Sequence, residues 1–95
     1  METVQDLKTV PSPKESIEEI DMDDELFLFD DQNPDGPVHT LNSGAALVWL
    51  LCDGERDAAS ISQEIARTYE LPEREVITEV QDALARFQSL GLLQA

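Results

Sequence analysis

The sequence predicts an α+β fold that resembles a winged helix-turn-helix, in which a three-stranded antiparallel sheet is followed by three helices. The length of 95 residues allows one domain. Short apolar runs separated by turn residues extend to about residue 41. After that point apolar residues recur at three- and four-residue steps, which is typical of helices. The sheet is therefore expected first and the helices second.

Three segments have the pattern of strands. Residues 16–21 read SIEEID, a weak candidate with acids throughout, and residues 25–30 read ELFLFD, a stronger one with four apolar residues. Residues 31–37 read DQNPDGP, and their Asn-Pro and Asp-Gly pairs mark a turn. A short strand, VHTL, follows at residues 38–41. Residues 25–41 are therefore predicted to form a β-hairpin with residues 38–41 at an edge of the sheet.

The first two helices follow directly. Asn42 or Ser43 can cap a helix that runs through Leu51. Because residues 45–52 are apolar all round, this helix is expected to be central and buried. The second helix starts at Asp57 or at Ser60, where Gln63 would complete a capping box. Its apolar face comprises Ile61, Ile65, Ala66 and Tyr69.

The third helix is the longest. Pro72 suits its start, and Gly91 suits the position after its end. Its apolar positions are Val76, Ile77, Val80, Ala83, Leu84, Phe87 and Leu90. Residues 92 and 93, both leucine, are expected to fold back onto the core.

The N-terminal residues 1–15 are polar and show no period, so they are predicted to be a flexible acidic tail, with the domain spanning residues 16–95. The first residues lack the basic and apolar regions of a signal peptide, and no stretch has the ~18 apolar residues of a membrane span. We therefore expect a cytoplasmic protein that does not act at a membrane.

The net charge argues against nucleic acid as a partner. The chain has 21 Asp and Glu against 6 Lys and Arg, which gives a formal charge of −15. The predicted third helix, which would be the recognition helix of a DNA-binding protein, carries Glu73, Glu75, Glu79 and Asp82. Such a field repels phosphate, and it disfavours anionic membranes for the same reason.

Catalysis and metal binding also find little support in the sequence. Cys52 and His39 are the single cysteine and histidine, and an acidic chain does not supply the electropositive setting that activates a thiol. The acids at residues 21–25 and 30–35 lack the spacing of a calcium loop and are expected to be a solvated face. We predict no catalytic residue, no metal site and no cofactor.

The predicted edge strand suggests a binding function. Edge strands leave backbone N–H and C=O groups unpaired, so an extended peptide can add to them as a further strand. If the third helix runs beside the strand, the two form a groove. The sequence leaves open whether Val76, Val80, Ala83 and Phe87 line this groove or fill the core.

The same residues resemble the PqqD-like family, also called RiPP recognition elements, which serve ribosomally made and modified peptides. The resemblance is carried by residues 39–49, HTLNSGAALVW, and residues 51–56, LCDGER. It continues through residues 61–69 and residues 80–93, which end in Gly-Leu-Leu. The family member of pyrroloquinoline quinone biosynthesis often has a Pro-Glu pair between the second and third strands. Residues 31–36 read DQNPDG and lack this pair, so they do not indicate that pathway.

The resemblance implies a non-catalytic protein that binds the leader segment of a precursor peptide by strand addition and presents it to a modifying enzyme. That enzyme is a radical SAM enzyme or, in lasso peptide pathways, a leader peptidase. Carried over, the peptide-binding residues are Val38, His39, Thr40, Leu41, Val76, Val80, Ala83 and Phe87. Arg74 and Arg86 are candidate charge contacts. The Leu41-Asn42 pair and Asp53-Gly54 are expected to shape the fold.

Two alternatives remain open at this stage. A winged-helix transcription factor would share the architecture, although its charge opposes DNA binding. A self-associating protein would pair the free edge with a second copy in a symmetric homodimer, so the same edge would serve both dimerisation and peptide binding.

Overall fold

The computed structural model describes residues 7–23 and 25–94, and in these ranges three strands precede three helices. The strands are β1 (Ile17–Met22), β2 (Glu25–Asp30) and β3 (His39–Leu41), and the helices are α1 (Ser43–Leu50), α2 (Ala58–Tyr69) and α3 (Glu73–Ser89). β2 lies between β1 and β3 and pairs antiparallel with both. The predicted fold class and the predicted hairpin are therefore confirmed.

The helices of the described chain include none that is both long and apolar enough to cross a membrane.

Local hydrogen bonds explain where the helices begin and end. The side chain of Asn42 accepts the N–H of Ala45 at 2.9 Å, so Asn42 caps α1. Asp57 caps α2 by accepting the N–H of Ser60 at 2.8 Å, so Asp57 rather than Ser60 starts this helix. α3 ends at Ser89 with Leu90 as its C-cap, and the following Gly91 has a φ of +77°, a conformation that other residues rarely adopt.

The core lies between one face of the sheet and the helices. Leu26 and Leu28 point inward from β2 and are buried, whereas Phe27 lies between them on the outer face and is half-buried. Each helix adds buried side chains. They include Val48 and Trp49 from α1, Ile61 and Ile65 from α2, and Val76, Val80, Leu84 and Phe87 from α3. Leu92 and Leu93 are buried as predicted.

Helix α1 is less buried than its composition suggests. Leu50 is 58% exposed, and Ala45, Ala46 and Leu47 are only partly buried. The prediction that this helix is central and buried therefore holds for the side that carries Val48 and Trp49 and is wrong for the side that carries Leu50. The reason is that α1 packs against β2, β3 and α3 on one side, and the described chain provides no layer for its other side.

The prediction for Tyr69 is also wrong. Tyr69 is assigned by the sequence to the apolar face of α2 with the core residues Ile61 and Ile65, but it is 55% exposed at the last position of that helix. The next residue, Glu70, adopts a left-handed conformation with φ of +53°, which ends the helix and turns the chain away from the core.

Residues 7–14 are hydrogen-bonded to the rest of the domain. The N–H groups of Ala58 and Ala59 donate to the carbonyls of Thr9 and Leu7, both at 2.9 Å. Helix starts leave such N–H groups without partners inside the helix, and this segment supplies the acceptors. Further along, the backbone N–H of Lys14 donates to the carbonyl of Leu92 at 3.0 Å. This differs from the predicted flexible tail over residues 1–15, of which residues 1–6 lie outside the described residues.

Candidate functional site

The pairing of β1 with β2 fixes which way each backbone group of the sheet points. The N–H of Asp31 donates to the carbonyl of Ser16 at 2.9 Å, and these two residues extend the register in which Ile17 faces Asp30. Hydrogen-bonded pairs alternate with non-bonded pairs along an antiparallel ladder. The odd-numbered residues of β2 therefore bond toward β1, and its even-numbered residues bond toward β3.

This alternation leaves Thr40 facing the open edge. Leu26 and Leu28 use their backbone groups toward β3, where they face Leu41 and His39. Thr40, between these two, therefore directs its N–H and C=O away from β2. Within the described residues β3 pairs only with β2, so the outward groups of Thr40 are open to another chain.

The side chains of β3 separate onto two faces. Leu41 faces the helices and is 1% exposed, and His39 shares its face and is half-buried. Thr40 lies on the opposite face and is exposed, and Val38, just before the strand, is 61% exposed. The edge thus offers backbone groups from Thr40 beside apolar surface.

A cavity opens at each end of β3, one against the residues that follow α3 and one against α3 itself. Beside His39, a cavity of about 210 Å³ is bounded by Leu90 and Leu92. A second cavity, of about 280 Å³, begins at Asn42, the residue that follows β3. We call this second cavity the groove. Its lining residues are Asn42, Gly44, Ala45 and Val48 on the α1 side, and Glu79, Asp82, Ala83, Arg86 and Phe87 on the α3 side.

A third cavity continues from the groove between α1, the end of α2 and the start of α3. Its volume is about 370 Å³, and we call it the inner cavity. Gly44, Val48 and Glu79 line both the groove and the inner cavity, so the two meet at these residues. Apolar walls therefore extend from the end of β3 to the turn after α2.

The predicted site residues divide into core and surface. Leu41, Val80 and Phe87 are each no more than 1% exposed, so their side chains belong chiefly to the core. Val76 is also buried, at 6% exposed, and Ala83 is half-buried. Even so, Val76 and Val80 lie on the wall of the inner cavity, and Ala83 and Phe87 lie on the wall of the groove.

The two candidate arginines are separated by the fold. Arg86 is exposed and lines the groove, whereas Arg74 is exposed near the start of α3 and lines neither the groove nor the inner cavity. Glu79 and Asp82, which are not among the predicted site residues, also line the groove with Arg86. Asp82 follows Glu79 by three residues and Arg86 follows Asp82 by four, so all three lie on one helix face. This spacing is the signal that could have identified them.

The thiol of Cys52 is not activated for nucleophilic attack or for metal binding. Burial raises the pKa of Cys52 to about 12, and the negative charge of Asp53 adds to this effect. The thiol donates to the carbonyl of Val48 at 3.2 Å. A thiol that stays protonated at neutral pH is a poor nucleophile and a poor metal ligand.

The acidic side chains that show shifts act as backbone acceptors. The pKa of Asp53 is lowered because its carboxylate accepts the N–H groups of Arg56 and Glu55, each at 2.9 Å. The pKa of Asp30 is lowered first by the N–H of Gln32. In the described ranges no three His, Cys, Asp or Glu side chains lie close enough together to hold a metal ion.

Two solved structures share the fold of this chain. One solved structure, described as TbiB1 in complex with the TbiA(beta) leader peptide, is 20% identical with a TM-score of 0.75, and the match covers 88% of this chain and 95% of that one. A second, described as lasso peptide synthetase B1 complexed with the leader peptide, is 17% identical with a TM-score of 0.77, covering 92% and 100%. A search of curated protein sequences gave no match.

The family comparison covers most of the chain. The model for the family described as coenzyme PQQ synthesis protein D (PqqD) matches residues 25–93, which include β2, β3 and all three helices. The match therefore contains the open edge, the groove and the inner cavity. By this match the chain belongs to the PqqD family.

Proposed function

We propose that this protein is a non-catalytic module that binds the leader segment of a ribosomally made precursor peptide and presents it to a separate modifying enzyme. The observation that carries the proposal is the edge strand β3, whose Thr40 directs its N–H and C=O outward next to the groove. A leader peptide would add there as a fourth strand.

The free energy of binding would come mainly from side chains. Backbone hydrogen bonds net about 1 kcal/mol each, while ordering a disordered peptide costs about 2–5 kcal/mol. Two or three apolar leader side chains, each contributing about 1.5–3 kcal/mol on burial, would supply the difference. Within residues 38–41, the outward N–H and C=O of Thr40 would form the hydrogen bonds to the peptide, and Val38, His39 and Leu41 would lie beside it in register, because His39 and Leu41 already bond toward β2.

The walls that receive these side chains belong to α3. Ala83 and Phe87 would contact them in the groove, and Val76 and Val80 would lie farther along, in the inner cavity. Arg86 would pair with an acidic residue of the leader, because it is the arginine on the groove wall. The net charge of −15 would favour leaders and enzymes whose other contacts are basic.

The receiving enzyme would be a leader peptidase of the lasso type or a radical SAM enzyme. The first is favoured because the two similar structures are complexes with leader peptides and one is described as a lasso peptide synthetase B1. We place the reaction in the cytoplasm, where the thiol of Cys52 would stay reduced.

A homodimer through β3 is the second candidate, because an open edge can also accept the same strand of another copy. The two uses would compete. Leader peptide should therefore shift a dimer toward monomer in sedimentation, and a dimer that persists at saturating leader would place the peptide elsewhere.

The proposal is tested with the leader of the precursor peptide encoded beside this gene. Titration into the labelled protein should shift the amide signals of residues 38–41 and residues 76–87 in a saturable way. The signals of residues 17–22 on the far edge of the sheet serve as the internal control. Shifts confined to that far edge would contradict the proposal.

A further inference from the structure

The inner cavity has the size and lining of a side-chain pocket. Its volume is about 370 Å³, and its walls include Leu47, Ile65, Leu71 and Val76. A dry apolar cavity of about 150 Å³ already accepts a benzene molecule. The inner cavity therefore has room for an aromatic or a large aliphatic side chain together with part of its backbone.

The mouth of this cavity is acidic. Glu75 and Glu79 line it, and both are exposed on α3. Around the mouth, Tyr69 and Leu71 are 55% and 50% exposed, so apolar surface continues outward from the walls. An apolar side chain followed by a cation would satisfy both features, because its body would bury apolar surface and its neighbour would face the carboxylates.

Gly44 lies where the groove and the inner cavity meet. It occupies the first turn of α1, where glycine stabilises a helix less than alanine does. A Cβ built at Gly44 would contact only the Oδ1 of Asn42, at 3.6 Å, so alanine fits there without strain. Helix geometry therefore does not require glycine at this position, whereas a side chain as large as leucine would extend into the junction of the two cavities.

We propose that the leader peptide, after pairing with β3, crosses α1 at Gly44 and inserts one bulky apolar side chain, next to a lysine or arginine, into the inner cavity. Gly44 is then a specificity-determining residue, because a side chain as large as leucine would narrow the passage. This inference rests on the proposed function and extends it, since it adds an anchor outside the strand-pairing segment.

A second copy of this chain is a poor occupant of the cavity. Each copy carries a net charge of −15, and the residues that frame the mouth, Glu75 and Glu79, are acidic on every copy. A leader segment is the better occupant because the inner cavity is continuous with the groove that begins at the end of β3.

The test compares Gly44→Leu with the matched control Gly44→Ala, using the leader of the precursor encoded beside this gene. Gly44→Ala should bind this leader as the parent does and melt at the same or a higher temperature. Gly44→Leu should keep its melting temperature and bind about tenfold or more weakly. Equal affinity of the two variants would overturn the inference.

An alanine scan of the same leader completes the cycle. At one aromatic or large aliphatic position outside the strand-pairing segment, replacement by alanine should weaken binding to the parent protein about tenfold or more. The same replacement should weaken binding to Gly44→Leu far less. If alanine weakens binding by the same factor with both proteins at every leader position, no anchor enters the inner cavity. In that case a shift of the Thr40 amide would still support the strand-addition proposal, and its absence would remove that proposal too.

A measurement on the unmodified protein guards against a variant that fails to fold. Contacts between an aromatic or aliphatic leader side chain and the methyl groups of Leu47 and Val76 should appear as intermolecular nuclear Overhauser effects. If such contacts appear only with Ala83 and Phe87, the leader stops in the groove and the inference is wrong.

Discussion

The rings of Trp49 and Phe87 meet edge to face, with centroids 5.3 Å apart and planes at 87°. Trp49 belongs to α1 and Phe87 to α3, so this contact joins the two helices that wall the groove. The indole N–H of Trp49 also donates to the carboxylate of Glu19 on β1 at 2.7 Å. The width of the groove is therefore set by a core contact that is itself anchored to the sheet.

Replacing Phe87 with alanine should reduce stability more than affinity. The ring is fully buried, so Phe87→Ala should lower the free energy of unfolding by about 3–5 kcal/mol in urea titrations. Ser89→Ala, an exposed change two residues later, should stay within roughly 0.5 kcal/mol of the parent. If Phe87→Ala lowers the free energy of unfolding by less than about 1 kcal/mol but binds leader poorly, the ring contacts the leader in the groove and does not stabilise the core.

Replacing Thr40 with proline should weaken leader binding while the fold survives. The N–H of Thr40 points away from β2, so proline removes no bond of the sheet. Losing one net hydrogen bond of about 0.5–1.5 kcal/mol should raise the Kd about two- to twelvefold in calorimetry.

The matched control for this change is Thr40→Ala, which keeps the N–H and should bind leader like the parent. Thermal melting of both variants checks that the sheet is intact. Equal affinities for Thr40→Pro and Thr40→Ala would show that no peptide strand pairs at this edge.

Stability should fall at alkaline pH because of Cys52. Burial raises the pKa of this thiol in the folded protein from 9.0 to about 12, so above pH 9 the unfolded chain loses the proton first. The unfolded state then binds fewer protons than the folded state, and the free energy of unfolding decreases between about pH 9 and pH 12. Urea titrations at pH 8, 9 and 10 measure this slope.

The control is Cys52→Ala, which is expected to be less stable than the parent at pH 8 but to lack this part of the alkaline slope. Thiol reagents should also modify the folded parent much more slowly than the unfolded chain. A slope that is the same in the variant would assign the alkaline loss to other groups.

The sheet and the helix boundaries were predictable because side chains mark them directly. The Asn33-Pro34 and Asp35-Gly36 pairs place the hairpin turn, and Gly91 marks the end of α3 through its positive φ. Such signals are local, so they can be recognised in the sequence without knowledge of the packing. The PqqD-like resemblance rests on the same kinds of residues and is confirmed by the family match.

The misjudged features depend on packing that local sequence does not encode. Helix α1 is apolar on every side, so its sequence does not indicate which side faces the core. The positions of β2, β3 and α3 decide that Leu50 is exposed. Residues 7–14 are held partly by backbone bonds, which leave no side-chain pattern. The outward direction of Thr40 likewise follows from the register with β2, which a strand of three residues cannot specify alone.

The two arginines of α3 provide a test of where charge contacts the leader. Arg86 lines the groove between α1 and α3, so Arg86→Glu should weaken binding of a leader that places an acidic residue there. Exposed ion pairs contribute about 0.2–1 kcal/mol, which predicts a rise in Kd of up to about fivefold, and more if repulsion is added. Added salt should reduce the difference.

Arg74→Glu is the matched control, because it makes the same change in charge on the same helix but outside the groove and the inner cavity. It should leave the Kd close to that of the parent, and Arg86→Lys should retain most of the affinity. If Arg74→Glu and Arg86→Glu weaken binding equally, the effect arises from net charge. The leader would then lie along α3 without using the groove wall around Arg86.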